Sequence, residues 1–243
     1  MILITRPINE AKILAKELKT FSLPVIIEPL TSFQYYKKRI ILHDKTFFIV
    51  SSLQTVHTMK TNKRNYKNII SQGKFLVVGM KVASELKLLG VNNIIKKFKS
   101  SDSLFKYLLK KKIYIEFKVE YLCGSIINDE FISGLRKAKI KYKKIVLYKT
   151  IAVKKISTQC LTQLKKGQIK IALIYSVYSA KLFLKLLRQH KLTGILKQTC
   201  ILCLSERIAN SFKDKMPPQN IYWSHNPNQK SLLSSLKSIN KKL

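Results

Sequence analysis

Residues 46 to 56, TFFIVSSLQTV, run from an unbroken apolar strand through Ser51 and Ser52 directly into a helical pattern. The same unit recurs along the chain. LIT precedes Arg6 and Pro7, FLVV precedes Gly79, YLC precedes Gly124 and Ser125, ALIY precedes Ser176, CILCL precedes Ser205 and IYW precedes Ser224. Strands that are apolar throughout have both faces covered, and strands alternating with helices build parallel sheets flanked by helices. In such a sheet the strand-to-helix junctions share one edge, where small residues leave helix N-terminal N–H groups open to an anion. The expected class is therefore α/β, with a polar cleft along the strand ends.

Strands are expected at 1 to 5, 24 to 30, 46 to 51, 74 to 79, 119 to 123, 141 to 147, 170 to 175, 199 to 204 and 219 to 224, with a weaker one at 93 to 98. Helices are expected at 8 to 19, behind Pro7 in a favourable early position, and near 82 to 89, 101 to 110 and 127 to 138. Within this pattern the chain repeats itself. FIVS-Ser52-LQTV followed by VV-Gly79-MKVA resembles LIY-Ser176-VYSA followed by CL-Ser205-ERIA, at separations of 27 and 29 residues. A further pair is out of order: Thr5-Arg6 with VIIEPL at 25 to 30 corresponds to Gly124-Ser125 with KIVLY at 144 to 148, and both run 23 residues from Arg6 or Ser125 to Pro29 or Tyr148. Two similar lobes follow, each a parallel sheet flanked by helices, one of them discontinuous in sequence. The expected division is 1 to 31 plus 153 to 243 for the discontinuous lobe and 41 to 147 for the inserted one. Segments 32 to 40 and 148 to 152 become a two-stranded linker.

Composition narrows the function. Apolar residues make up 46% of the 243, enough for buried cores. The formal charge of +35 suggests a polyanionic partner, yet only 6 of the 47 basic residues are Arg and the lysines are spread through nearly every helix. A surface built to read nucleic acid concentrates its cations and recruits Arg for bidentate contacts, so no specific nucleic acid is expected, and the lysine excess fits a coding bias. MILITRP begins as a strand rather than a signal peptide, and no run has the length of a membrane span, so a cytoplasmic protein with no membrane partner is expected, as a monomer. Cys123, Cys160, Cys200 and Cys203 make no disulfide framework. Cys200 and Cys203 form a CxxC, but inside the apolar strand TCILCL they read as buried thiols, and His43, His57, His190 and His225 have no ligand spacing, so no metal site is expected.

No GxSxG, Walker-type or GxGxxG loop is present, and no carboxylate pair stands out. Backbone amides, hydroxyls and lysines remain, which suit a large flexible polyanion whose reaction needs conformational control. The blocks ILITRP at the start, Pro29-Leu30, FIVSS at 48 to 52, VVG with Ala83 behind it, YLCG at 121 to 124, VLYKT at 146 to 150, IYS at 174 to 176 and CLSERIA at 203 to 209 together resemble the uroporphyrinogen-III synthase family, in the family's order and over essentially the whole chain.

The resemblance implies two α/β lobes joined by a two-stranded linker. It implies an enzyme that needs no cofactor and acts on hydroxymethylbilane, a linear tetrapyrrole with eight carboxylates, which loses water while ring D is inverted through a spiro intermediate. Transient contact with the upstream hydroxymethylbilane synthase is implied too. Tyr148 matches the tyrosine of the VLYKT block and is the candidate to assist departure of the hydroxyl, since a tyrosine with an ordinary pKa of about 10 holds its proton at neutral pH; packing in the linker is its alternative role. Substrate binding falls to Arg6, Ser52, Gly79, Met80, Lys81, Val82, Gly124, Ser125, Ser176, Val177, Tyr178 and Ser205, through helix N-termini aided by Arg6 and Lys81. For each serine the alternative is plain N-capping, and for Arg6 a solvated place at a helix start. Val82, Val177-Tyr178 and Leu53-Gln54 depart from the family's usual residues, which puts side-chain contacts there in doubt and leaves main-chain ones. A relative without activity, an anion-binding bilobal protein and a nucleic-acid-binding protein are the competing readings.

Overall fold

The computed structural model describes residues 1 to 21 and 24 to 241; residues 22, 23, 242 and 243, which the expected discontinuous lobe also takes in, lie outside the described residues. The chain opens with β1 (Ile2–Ile4), α1 (Ile8–Glu17), β2 (Val25–Ile27) and β3 (Thr31–Tyr35). It continues with β4 (Thr46–Val50), α2 (Leu53–Thr61), α3 (Lys67–Gln72), β5 (Lys74–Val78), α4 (Met80–Leu89), β6 (Ile94–Phe98), α5 (Ser101–Lys111), β7 (Lys118–Gly124), α6 (Asp129–Lys137) and β8 (Lys143–Ala152). The last third holds α7 (Thr158–Lys165), β9 (Ile171–Ile174), α8 (Val177–Gln189), β10 (Cys200–Cys203), α9 (Glu206–Ala209), β11 (Ile221–Trp223) and α10 (Gln229–Asn240).

By its contacts the chain divides into two units, 1 to 32 with 151 to 243, and 33 to 150. The first unit carries a five-stranded sheet in the order β11-β10-β9-β1-β2, the second a six-stranded sheet in the order β3-β8-β7-β4-β5-β6. The registers from β1 to β2 and β9, from β10 to β9 and β11, from β4 to β5 and β7, from β5 to β6 and from β7 to β8 are all parallel. Reading the second sheet from β6 gives β6-β5-β4-β7-β8, which matches β11-β10-β9-β1-β2 strand for strand. The internal repeat in the sequence is thus a repeat of topology, with β7 and β8 standing where β1 and β2 stand in the first sheet.

Both faces of each sheet are buried, which is why the strands read as continuous apolar runs. In the second unit Phe48 and Val50 pack with Met59, Ile69 and Leu86 on one side, while Phe47 and Ile49 pack with Leu104, Leu108 and Phe131 on the other. In the first unit Leu3 joins Ile174, Ile201 and Phe183, whereas Ile2 and Ile4 join Leu14, Leu202 and Leu236. Each such fully buried side chain contributes about 1.5–3 kcal/mol relative to exposure. Cys200 and Cys203 fall in different clusters, on opposite faces of β10, so the CxxC does not bring its two thiols to one place.

The segments expected as linkers have regular structure. Residues 148 to 152 continue β8 without a break, and β3 lies beside β8 at the edge of the second sheet, where the Tyr36 N–H donates to the Leu147 carbonyl (2.9 Å). Among the described residues no helix is long and apolar enough to cross a membrane.

Candidate active site

In the second unit a cavity of about 280 Å³ opens at the carboxyl end of the sheet. Ser51 and Ser52 reach it from the end of β4, Tyr121 and Gly124 from β7, and Tyr148 from β8. Three helices begin at its wall: Ser52 is the N-cap of α2, Ser101 the first residue of α5 and Asn128 the N-cap of α6. None of the eleven lining residues is Lys, Arg, Asp or Glu, in a chain with 47 basic residues. What favours an anion here is the partial positive charge of helix N-termini, together with hydroxyl groups.

Two consecutive serines each meet a phenol. Ser51 Oγ lies 2.7 Å from the Tyr121 hydroxyl, and Ser52 Oγ lies 2.8 Å from the Tyr148 hydroxyl. Alternation along an extended chain sends neighbouring side chains to opposite sides, so each serine reaches a tyrosine on its own side. Ser52 also caps α2 by accepting the Gln54 N–H (3.1 Å), and Gln54 Oε1 in turn accepts the Tyr35 hydroxyl (2.7 Å). The Tyr148 ring is held edge-on by Phe33, at 5.5 Å between centroids and 88° between planes. Its other boundary is Gly124: a Cβ there would stand 2.5 Å from two ring carbons of Tyr148, so only glycine leaves the ring its place. Burial pushes the Tyr121 phenol up to about 12, with the Ser51 hydrogen bond opposing the shift, and the Cys123 thiol beside it up to about 11. Both groups therefore stay protonated across the ordinary pH range.

The other expected site residues of this unit divide. Ser125 accepts the Thr150 N–H (3.1 Å) and donates its own backbone N–H to the Tyr148 carbonyl (2.9 Å), tying β7 to β8 just past the cavity. Gly79 caps α4 at φ 96°, a left-handed backbone that favours glycine, with Val78 before it in the cavity wall. Met80 and Lys81 are exposed on the first turn of α4, while Val82 turns inward and is buried in the core.

In the first unit Ser176 caps α8 by accepting the Ser179 N–H (2.9 Å), and its hydroxyl donates to Ser179 Oγ (2.8 Å). Val177 and Tyr178 pack half-buried against the core, and Ser205 stands at the N-cap of α9 without a capping hydrogen bond from its hydroxyl. Arg6 is neither solvated nor pointed at open space. Its guanidinium lies 4.5 Å over the Tyr175 ring, donates through Nε (2.8 Å) and a second N–H to Glu10, and donates to Gln229 (3.1 Å).

Sequence reasoning passed over Ser51, Ser101, Tyr121 and Asn128. Tyr121 alternates with Val119 and Cys123 on a core-facing side, so its pattern is that of packing; the only cue was its place three residues before Gly124. Ser101 and Asn128 mark helix starts that carry ordinary capping chemistry.

Comparison with known proteins gives the chain a family. The family model described as uroporphyrinogen-III synthase HemD matches residues 12 to 234. Among curated protein sequences nothing matches. The fold is similar to that of the uroporphyrinogen-III synthetase of Helicobacter pylori, with a TM-score of 0.65 at 16% identity over 98% of each chain. It is also similar to a mutant uroporphyrinogen III synthase of Thermus thermophilus, with a TM-score of 0.59 at 12% identity over 100% of this chain and 99% of that one. With the family model running from α1 into α10, through both sheets and every strand that borders the cavity, the chain belongs to the uroporphyrinogen-III synthase family.

Proposed function

We propose that this protein catalyses the closure of hydroxymethylbilane to uroporphyrinogen III, a hydro-lyase reaction of tetrapyrrole synthesis, and that the cavity of the second unit receives the hydroxymethyl end. The observation that carries the reading is the Tyr148 phenol, hydrogen-bonded to Ser52 at the wall of a cavity with no charged side chain. The substrate's carbon–oxygen bond breaks as the phenol gives its proton to the departing hydroxyl; water leaves, and the proton the substrate sheds as the macrocycle closes returns to the phenolate. The substituted carbon of ring D then attacks to form the spiro intermediate, whose reopening and closure inverts the ring. The overall balance is one water lost per macrocycle closed. Because the same substrate closes without help to the uninverted isomer, the protein's task is orientation more than strong acid–base chemistry.

With no cationic side chain in the cavity wall, the eight carboxylates depend on helix starts, hydroxyl groups and cations beyond it. The starts of α2, α5 and α6 supply backbone N–H groups, and Lys81 extends the positive field from the exposed first turn of α4. Within the first unit, Ser176 at the start of α8 and Ser205 at the start of α9 hold the matching positions of the repeat and are that unit's own candidate anion contacts. Arg6, held by Glu10, Gln229 and Tyr175, keeps the start of α1 in place.

The test is a coupled assay in which hydroxymethylbilane is generated in place, the purified protein is added and the oxidised products are separated by isomer. A change of the product formed from the bilane, from type I to type III, is expected. Type I alone, from protein shown to be folded, refutes the proposed activity and leaves anion binding as the reading of the cleft.

A further inference from the structure

The Ser51 and Tyr121 hydroxyls have no place in the chemistry just described, yet both line the same cavity. Between them they hold two O–H protons and form one hydrogen bond, of 2.7 Å. Among the described residues neither hydroxyl has a second partner. One proton is therefore left for whatever occupies the cavity. A phenol is the stronger acid of the two and the better donor, and an alkyl hydroxyl is the better acceptor. Relative acidity therefore favours donation from Tyr121 to Ser51, which turns the proton of Ser51 outward.

The surroundings favour the same choice. Tyr121 is buried, with its ring held edge-on by Phe131 at 5.7 Å and 81°, so the phenol cannot swing away, while Ser51 is only half-buried. The burial that pushes the phenol up to about 12 keeps it a donor at any working pH. Ser51 also stands beside the start of α2, where an anion is already favoured.

We propose that Ser51 and Tyr121 form a second donor site in this cavity: Ser51 binds a carboxylate oxygen of the substrate ring held there, and Tyr121 is the positioning residue that directs the serine's proton. This rests on the function proposed above. The site lies on the Tyr121 side of β4 and the leaving-group phenol on the Tyr148 side, so the ring is gripped at one of its substituents while its hydroxymethyl carbon faces Tyr148. At about 280 Å³ the cavity is at the small end of ligand pockets, which suits one substituted ring and not four.

Ser51→Ala, Ser51→Thr and Tyr121→Phe test this in the isomer assay, with KM and kcat determined separately. Loss of a hydrogen bond to a charged group is expected to raise KM about tenfold in Ser51→Ala and Tyr121→Phe, with kcat within about threefold of the parent. Ser51→Thr, which keeps the hydroxyl, is expected to restore KM. A role in packing alone predicts the reverse, kcat and stability falling together with no rescue by threonine. That result overturns the proposal, as does an unchanged KM in both deletion variants.

Should the parent protein give only type I product, the proposed function fails, and the donor site is then judged by binding of the octacarboxylate uroporphyrin, read from its visible absorption. Binding several-fold weaker in Ser51→Ala upholds the site; equal affinity, or none in the parent, overturns it.

Discussion

Replacing Gly124 by alanine adds one methyl group, whose carbon would stand 2.5 Å from two carbons of the Tyr148 ring and 2.8 Å from its hydroxyl oxygen. Comfortable carbon–carbon contact begins near ~3.5 Å, so the ring has to retreat by about 1 Å. The Tyr148–Ser52 hydrogen bond is 2.8 Å long; lengthened by that much it passes the limit of useful geometry. Gly124 is not among the residues with positive φ, so alanine brings no backbone strain, and the substitution acts through the displaced ring. Overpacking of this kind costs about 1–3 kcal/mol of stability, and a 1 Å misplacement of a catalytic group costs about 10²-fold in rate. The assay is the initial rate of type III formation for the parent, Gly124→Ala, Tyr148→Phe and the double variant. If the methyl acts by moving the phenol, the double variant loses less than about threefold beyond Tyr148→Phe alone. A parental rate in Gly124→Ala, or losses that multiply in the double variant, refutes the reasoning.

Tyr148→Phe by itself is expected to lower kcat by about 10²–10⁴-fold, the range for a positioned proton donor, with the thermal midpoint little changed; a parental kcat removes Tyr148 from the reaction. All four cysteines are buried, and burial raises every one of their pKa values, Cys160 and Cys203 to about 12. A thiol reagent at pH 8 should therefore find almost nothing in the native protein and four thiols after denaturation, and prompt labelling of the native protein contradicts the burial. Because these folded-state values lie above the unfolded thiol value of about 8.5, their contribution is complete below pH 8.5 and is lost as pH rises through the folded values. Tyr121 and Tyr175, both pushed up to about 12, act in the same direction above the unfolded value of about 10. The thermal midpoint should fall between pH 8.5 and 10, and a flat profile would contradict the shifts. In the first unit Glu28 accepts the Ser157 backbone N–H (3.0 Å) and the Ser157 hydroxyl at the start of α7. Glu28→Ala should destabilise the protein by about 1–3 kcal/mol in urea unfolding, while the isomer ratio stays parental.

The sheets were legible because their strands are apolar on both faces and end in small residues, which leaves little else for FFIV or ALI to be. The repeat then supplied more than element identity: matching Thr5-Arg6 to Gly124-Ser125 amounts to matching β1 to β7, an equivalence whose strand order only the structure displays. The edge at β3 was harder, because TSFQY alternates polar and apolar residues as an exposed extended linker also does. At the site, Tyr148 could be singled out only through resemblance. Tyr121 and Ser51 could not, since a phenol facing a serine across two strands depends on the register of β4 against β7, which pairs Val50 with Leu122. Val82 and Tyr178 follow the strand-end junctions in sequence, but the first turn of a helix sends side chains inward as well as outward, and position alone does not say which. Arg6 shows the same limit over a longer span: Gln229, which orients it, is 223 residues away.

The first sheet has the chain's opening strand inside it, with β1 between β2 and β9. On a ribosome making about 5–20 residues per second, Ile2, Leu3 and Ile4 wait roughly 10 to 30 s for the strand that will cover their open edge. The residues emerging meanwhile are those of the second unit, 33 to 150, which holds all but the outer ends of its own sheet and can close first. When it does, β3 comes to lie beside β8, so the two chain ends that must build the other sheet leave the finished unit side by side. A loop of more than a hundred residues, whose closure would otherwise oppose the pairing of β1 with β9, is by then already shut. Synthesis order and sheet order thus agree: closing the inserted unit first shortens the loop that the split one has to close.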